Sequence, residues 1–129
     1  MNIIFTDLQY KIPIAKKKIN HALTQSANTL KLKFSELSIV FVGERRMRSL
    51  NNKFLGHDYV TDVITFKHGE IIVCPLVALK QAKRFNKTVH EEILLYCIHG
   101  LLHLAGFDDH APNDIKRMRQ MEIKLLSRC

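Results

Sequence analysis

His99 and His103 stand four residues apart in the run His99-Gly100-Leu101-Leu102-His103-Leu104-Ala105-Gly106-Phe107-Asp108-Asp109-His110. On a helix this spacing puts both imidazoles on one face, close enough to share a metal ion. Gly106 follows three residues after His103, where a glycine can end the helix in a left-handed turn and send the chain back. Asp109 and His110 then arrive where a third ligand is needed. Three protein ligands leave a fourth position open, the layout of a catalytic metal rather than a purely structural one. The plainer alternative is a pair of packed histidines near a helix end. Burying two such rings in an apolar run costs several kcal/mol unless their nitrogens are paired, and metal ligation removes that conflict.

The spacing is related to the zinc-protease pattern H-E-x-x-H-x-x-G-x-x-H. The second position of that pattern is Gly100 here, so no carboxylate stands beside His99 and the peptidase's general base is missing. The third ligand of the pattern falls on Asp109, and His110 comes one residue late. Register favours Asp109, whereas histidine's frequency as a ligand favours His110, as a ligand itself or as the partner that orients one. Zn²⁺, or another divalent ion, on His99, His103 and Asp109 or His110 would bring the pKa of a bound water towards about 7 and polarise a phosphoryl oxygen. With no base at Gly100, the carboxylates Asp58, Asp62 and Asp108 become candidates to assist, with His57 a weaker one. Asp58 and Asp108 join the two histidines in the predicted catalytic set. Asp58 and Asp62 also read as turn and strand-start residues, and Asp108 as an orienting residue.

The elements that must position these groups follow from patterning. Asn2 to Phe5 and the alternating, β-branched Glu36 to Val42 read as strands. Pro13 suits the first turn of a helix whose stripe runs through Ile14, Ile19, Ala22, Leu23, Ser26 and Leu30. Gly43 to Lys53 reads as a basic helix and Leu55 to Tyr59 as a loop. Asp62 to Phe66 and Glu70 to Cys74 read as strands joined by a hairpin turn at Lys67-His68-Gly69. Pro75 opens a helix to about Asn86. Thr88 and Glu91 form a capping box for the motif helix, which runs to about Ala105. Asn113 or Asp114 starts a last amphipathic helix through Met118, Met121 and Leu125. The fold class is α+β: a small mixed sheet of about four strands packed against helices. The motif helix, apolar on almost every face between Ile93 and Leu104, is the central buried one.

The 129 residues are expected to form a single domain spanning 1–129. Twenty Lys and Arg against 12 Asp and Glu leave a net charge of +8, a balance that favours polyanions. A solvated basic surface gives the same number, but beside a metal site RNA is the better-matched partner. Cys74, Cys97 and Cys129 are too few and too scattered for a disulfide framework or a CxxC zinc knuckle, and the first two lie in apolar runs. No basic region followed by a long apolar stretch opens the chain, and the run Ile93 to Ile98 is too short to span a membrane. A reduced, cytoplasmic protein with no membrane segment is expected.

The run from His99 to Asp108 resembles the signature H-G-x-L-H-L-x-G-(Y/F)-D-H of the YbeY family. Upstream, Leu50-Asn51, Gly56, Asp58, Thr61-Asp62-Val63-Ile64-Thr65-Phe66 and Gly69-Glu70-Ile71-Ile72-Val73-Cys74 are similar to further segments of that family. The resemblance implies a metal-dependent, single-strand endoribonuclease. It also implies work on the 3′ end of 16S ribosomal RNA and in ribosome quality control, with the small ribosomal subunit as partner. Two positions depart from the family pattern. Leu55 stands where the family often has an arginine implicated in activity, and an extra aspartate displaces the signature's third histidine. Two other functions compete: a small zinc peptidase-like hydrolase, and a non-catalytic ribosome-associated RNA-binding factor whose metal only holds the fold.

Overall fold

The computed structural model describes residues 2–128, so Cys129 lies outside the described residues. The order is β1 (Asn2–Asp7), α1 (Lys16–Thr29), β2 (Glu36–Phe41), α2 (Glu44–Leu55), β3 (Val63–Phe66), β4 (Glu70–Val73), α3 (Pro75–Arg84), α4 (Val89–Leu104) and α5 (Pro112–Leu126). The strands form one mixed sheet in the order β1-β2-β4-β3. β1, β2 and β4 run parallel, and β3 pairs antiparallel with β4 through the hairpin at Gly69. Gly69 sits at φ 107°, a left-handed conformation that its missing Cβ allows. The α+β class and the mixed sheet of four strands are as the sequence predicts.

Strand alternation sorts the core into two layers. Leu37, Ile39 and Phe41 of β2, with Ile71 and Val73 of β4, face the helical side, where α1, α4 and α5 bury Leu23, Ile98, Leu101 and Leu125. On the opposite face Ile64 and Ile72 meet Val42 and Met47 under α2. No helix is long and apolar enough to cross a membrane among the described residues. Cys74 and Cys97 are both free and buried, and burial pushes the Cys97 thiol up to about 12, so it packs as a small hydrophobe.

The first helix begins later than the sequence predicts. Pro13 lies ahead of it, and α1 starts at Lys16. The Gln9 side chain accepts from the Ile12 amide at 3.0 Å and donates to the Ile12 carbonyl at 2.9 Å. Those bonds commit the segment to a loop before the helix can nucleate. The other element ends shift by at most two residues, the usual uncertainty of helix and strand boundaries.

α4 occupies the centre. Its capping box is complete: the Glu91 amide donates to the Thr88 hydroxyl at 3.1 Å and the Thr88 amide to the Glu91 carboxylate at 3.0 Å. Gly100 lies directly against the sheet. A Cβ there would come within 2.7 Å of Ile71 Cγ2 and 3.0 Å of Thr65 Oγ1. This position therefore faces β3 and β4, and a glutamate at Gly100 has no room. Gly100→Ala is expected to cost about 1–3 kcal/mol through overpacking, with the fold retained. Urea unfolding measures this as a lower midpoint at unchanged slope.

Candidate metal centre

The site is assembled from α4, the turn that follows it, and α5. α4 supplies His99 and His103 one turn apart, with their ring centroids 4.7 Å from each other. The helix then ends in a Schellman motif: Gly106 at φ 97° donates to the His103 carbonyl, and Phe107 to the Leu102 carbonyl, each at 3.0 Å. This reversal returns the chain across the histidine face and delivers Asp109. Pro112 then opens α5, whose Met118 and Leu125 are buried. Anchoring that stripe brings Glu122, between them in sequence, up to His99.

Three ligand atoms converge. His99 Nε2 and His103 Nε2 are 3.1 Å apart. Asp109 Oδ2 lies 3.3 Å from His99 Nε2 and 3.6 Å from His103 Nε2. Metal–ligand bonds of about 2.0–2.2 Å give a tetrahedron with edges of about 3.3–3.6 Å, so these separations suit one ion among the three atoms. His99, His103 and Asp109 are all half-buried, and this group of nitrogen and oxygen donors could hold a metal.

Glu122 fixes the orientation of His99. Its Oε2 lies 2.5 Å from His99 Nδ1. A carboxylate accepts, so Nδ1 carries the hydrogen and Nε2 turns its lone pair towards Asp109 and His103. Burial alone pulls the His99 imidazole down. The hydrogen bond and charge of Glu122, then the charges of Asp109 and Asp62, outweigh burial and hold His99 above the ordinary histidine value. The surroundings therefore favour positive charge at Nε2, which a proton or a metal ion can supply.

His99, Asp109 and Glu122 open into a cleft of about 370 Å³ whose walls include Asp62, Tyr96 and Arg119. Asp62 Oδ1 accepts from the Val63 amide at 2.8 Å and from the Thr61 hydroxyl at 3.3 Å. Burial, with Glu92 nearby, pushes the Tyr96 phenol far up, so it stays neutral.

Asp108 and His110, both exposed, form with Asp109 a second group whose ligand atoms lie within 4.8 Å of one another. His110 pairs with Asp108 at 3.4 Å and its side chain is 87% exposed. Asp108 also accepts from the Asp109 amide at 2.8 Å, which shapes the turn that presents Asp109. Asp58 is held by Arg48 through two bonds, at 2.9 and 3.2 Å. That pairing keeps the Asp58 carboxyl below the usual carboxylate range. The His57 ring stacks on Tyr59. Neither Asp58 nor His57 is among the residues lining the cleft. Sequence reasoning missed Glu122 and Arg119. The available signal was the stripe Met118, Met121, Leu125, which places Glu122 one turn beyond Met118 on the inward side.

Comparison with known proteins agrees with this architecture. The profile of the family described as Endoribonuclease YbeY matches residues 4–129. An endoribonuclease YbeY from Thermodesulfovibrio yellowstonii is 37% identical over 106 residues, covering 73% of this chain and 67% of the relative. One from Elusimicrobium minutum is 35% identical over 120 residues, covering 84% and 81%. A solution structure from Thermotoga maritima superposes with a TM-score of 0.65 at 28% identity, covering 98% of this chain and 90% of that one. Two separated groups of residues, the His99–Asp109 motif and the Leu50–Cys74 segment, thus come together in one fold, and the chain belongs to the YbeY family.

Proposed function

We propose that this protein is a metal-dependent, single-strand endoribonuclease acting in ribosomal RNA processing, at the 3′ end of 16S RNA and in ribosome quality control. Family membership supports the activity, and the convergence of His99 Nε2, His103 Nε2 and Asp109 Oδ2 is the observation that carries the chemistry. RNA is the substrate. The net charge of +8 matches a polyanion, and the small ribosomal subunit in the cytoplasm is the setting that fits such a substrate.

His99, His103 and Asp109 would hold the ion, and two imidazoles with one carboxylate suit Zn²⁺. When bound, the ion supplies a Lewis acid for a phosphoryl oxygen and makes water acidic enough to act as nucleophile near neutral pH. Glu122 keeps the His99 ring turned so that its lone pair faces the other two donors. Asp62, in the cleft wall with Oδ1 tied to its own turn, is the carboxylate best placed to take a proton from the attacking water. Asp58 and Asp108 have other partners, in Arg48 and in the turn before α5.

The peptidase alternative loses its footing at Gly100. That position faces Ile71 and Thr65 rather than the cleft, so this helix cannot present a base where the protease pattern has one. His103→Ala should lose bound metal and cleavage of single-stranded RNA together. Full metal content in that variant would remove the site as drawn. Wild-type products should carry no 2′,3′-cyclic phosphate, because water and not the 2′-hydroxyl attacks. End-group analysis by mass spectrometry decides between them. Chelation separates the enzyme from a structural-metal binder: the enzyme keeps its fold and its RNA affinity while cleavage stops. Glu122→Gln should weaken metal binding by about 10–100-fold in a competition titration with a chromophoric chelator, with the fold intact by circular dichroism.

A further inference from the structure

The cleft beside His99 holds three carboxylates, Asp62, Asp109 and Glu122, and among the described residues lining it only one lysine or arginine, Arg119. Asp109 is engaged by both histidines and Glu122 by His99. Asp62 is tied through Oδ1 to its own turn. Arg119 makes no ion pair or hydrogen bond with any of them, nor with any other described residue. A guanidinium that shares a cleft with three acids and pairs with none is left for an anion from outside.

Helix geometry keeps it there. Ile115, Met118, Arg119 and Glu122 recur at three- and four-residue spacing and form the face of α5 that lines the cleft. Met118 is buried at 2% exposure and fixes the rotation of that face. Arg119 is therefore one turn before Glu122, the residue that touches His99. Arg117, two residues away, lies on another face beside Asp108 and Asp114. Arginine offers several N–H donors in a planar fork that matches two oxygens of one phosphate, which lysine cannot reproduce.

We propose that Arg119 is the phosphate-binding residue of the cleft, gripping the non-bridging oxygens of an RNA phosphodiester presented to the metal site. This rests on the endoribonuclease reading. Its guanidinium would neutralise charge that builds up on the phosphoryl oxygens as water attacks and the leaving oxygen departs with a proton.

The test compares zinc-loaded wild type with Arg119→Ala, Arg119→Lys and Arg117→Ala. Metal content is measured for each, and one single-stranded RNA serves throughout. Arg119→Ala should keep full metal content and lose about 100-fold in kcat/KM, Arg119→Lys should fall between it and wild type, and Arg117→Ala should stay near wild type. In parallel, dimethyl phosphate, a diester too small for other contacts, is titrated into ¹⁵N-labelled wild type. The Arg119 Nε–Hε resonance should shift saturably while that of Arg117 does not. Wild-type cleavage by Arg119→Ala, equal losses in Arg117→Ala, lost metal in Arg119→Ala, or a silent Arg119 resonance would each overturn the proposal. If the loaded wild type cleaves no RNA at all, the endoribonuclease reading fails, and the dimethyl phosphate titration still decides whether Arg119 binds phosphodiesters.

Discussion

The close seat of α4 on the sheet at Gly100 sets the geometry of everything around it. With no Cβ between helix and sheet, the backbone of α4 lies within van der Waals reach of Ile71 and Thr65. At about 100° per residue, His99 and His103 then fall roughly 60–100° round the helix from the line that faces the sheet. That direction is the margin where α5 and the turn after Gly106 can reach them. A bulkier residue at Gly100 would lift or rotate the helix, and both imidazoles would move together. The glycine in the motif is thus a packing requirement, and the general base of the protease pattern has no equivalent on this helix.

Electrostatics supplies the second constraint. Asp109 and Glu122 approach the same imidazole from its two nitrogens, and the charge of Asp62 adds to theirs. A cleft with this much negative charge is stable when something positive completes it. A divalent ion held by Nε2 of both histidines would meet that need, and Arg119 lines the same cleft further along α5. In the proposed centre Asp109 would stand where the family signature has a third histidine. A carboxylate oxygen satisfies the same tetrahedral edge and lowers the charge of the centre by one unit. Such a ligand leaves a bound divalent ion a weaker Lewis acid than three neutral imidazoles would, which places more of the burden of phosphate charge on the protein. The exposed Leu55 carries no charge to share it, whereas Arg119 is among the residues lining the cleft.

Much of this was legible in the sequence because the signals are local. The capping box Thr88–Glu91, the i, i+4 histidines and the glycine stop at Gly106 each act within a few residues, and each predicted feature is present. The strand β2 was legible as alternation, and the central, buried place of α4 as its all-round apolar character. The choice between Asp109 and His110 was not, because they differ by one residue in a turn. What separates them is the direction in which the Schellman motif releases the chain and the contact between His110 and Asp108. Glu122 was hidden by distance, since it meets His99 across 23 residues of sequence, and only the packing of Met118 and Leu125 brings them together. The partner of Asp58 was hidden for a similar reason. That residue's neighbour in sequence is a loop, but its partner is Arg48 on α2. The late start of α1 came from the Gln9 side chain, whose two bonds to Ile12 outweigh the preference of Pro13 for a first helical turn.

X-ray absorption at the zinc edge of the loaded protein tests the centre most directly. Two imidazole nitrogens and one carboxylate oxygen at about 2.0–2.2 Å, with a light atom in the remaining position, are expected. A scatterer at about 2.3 Å, the distance of a thiolate sulfur, or a shell containing one imidazole, would contradict a site built on His99, His103 and Asp109.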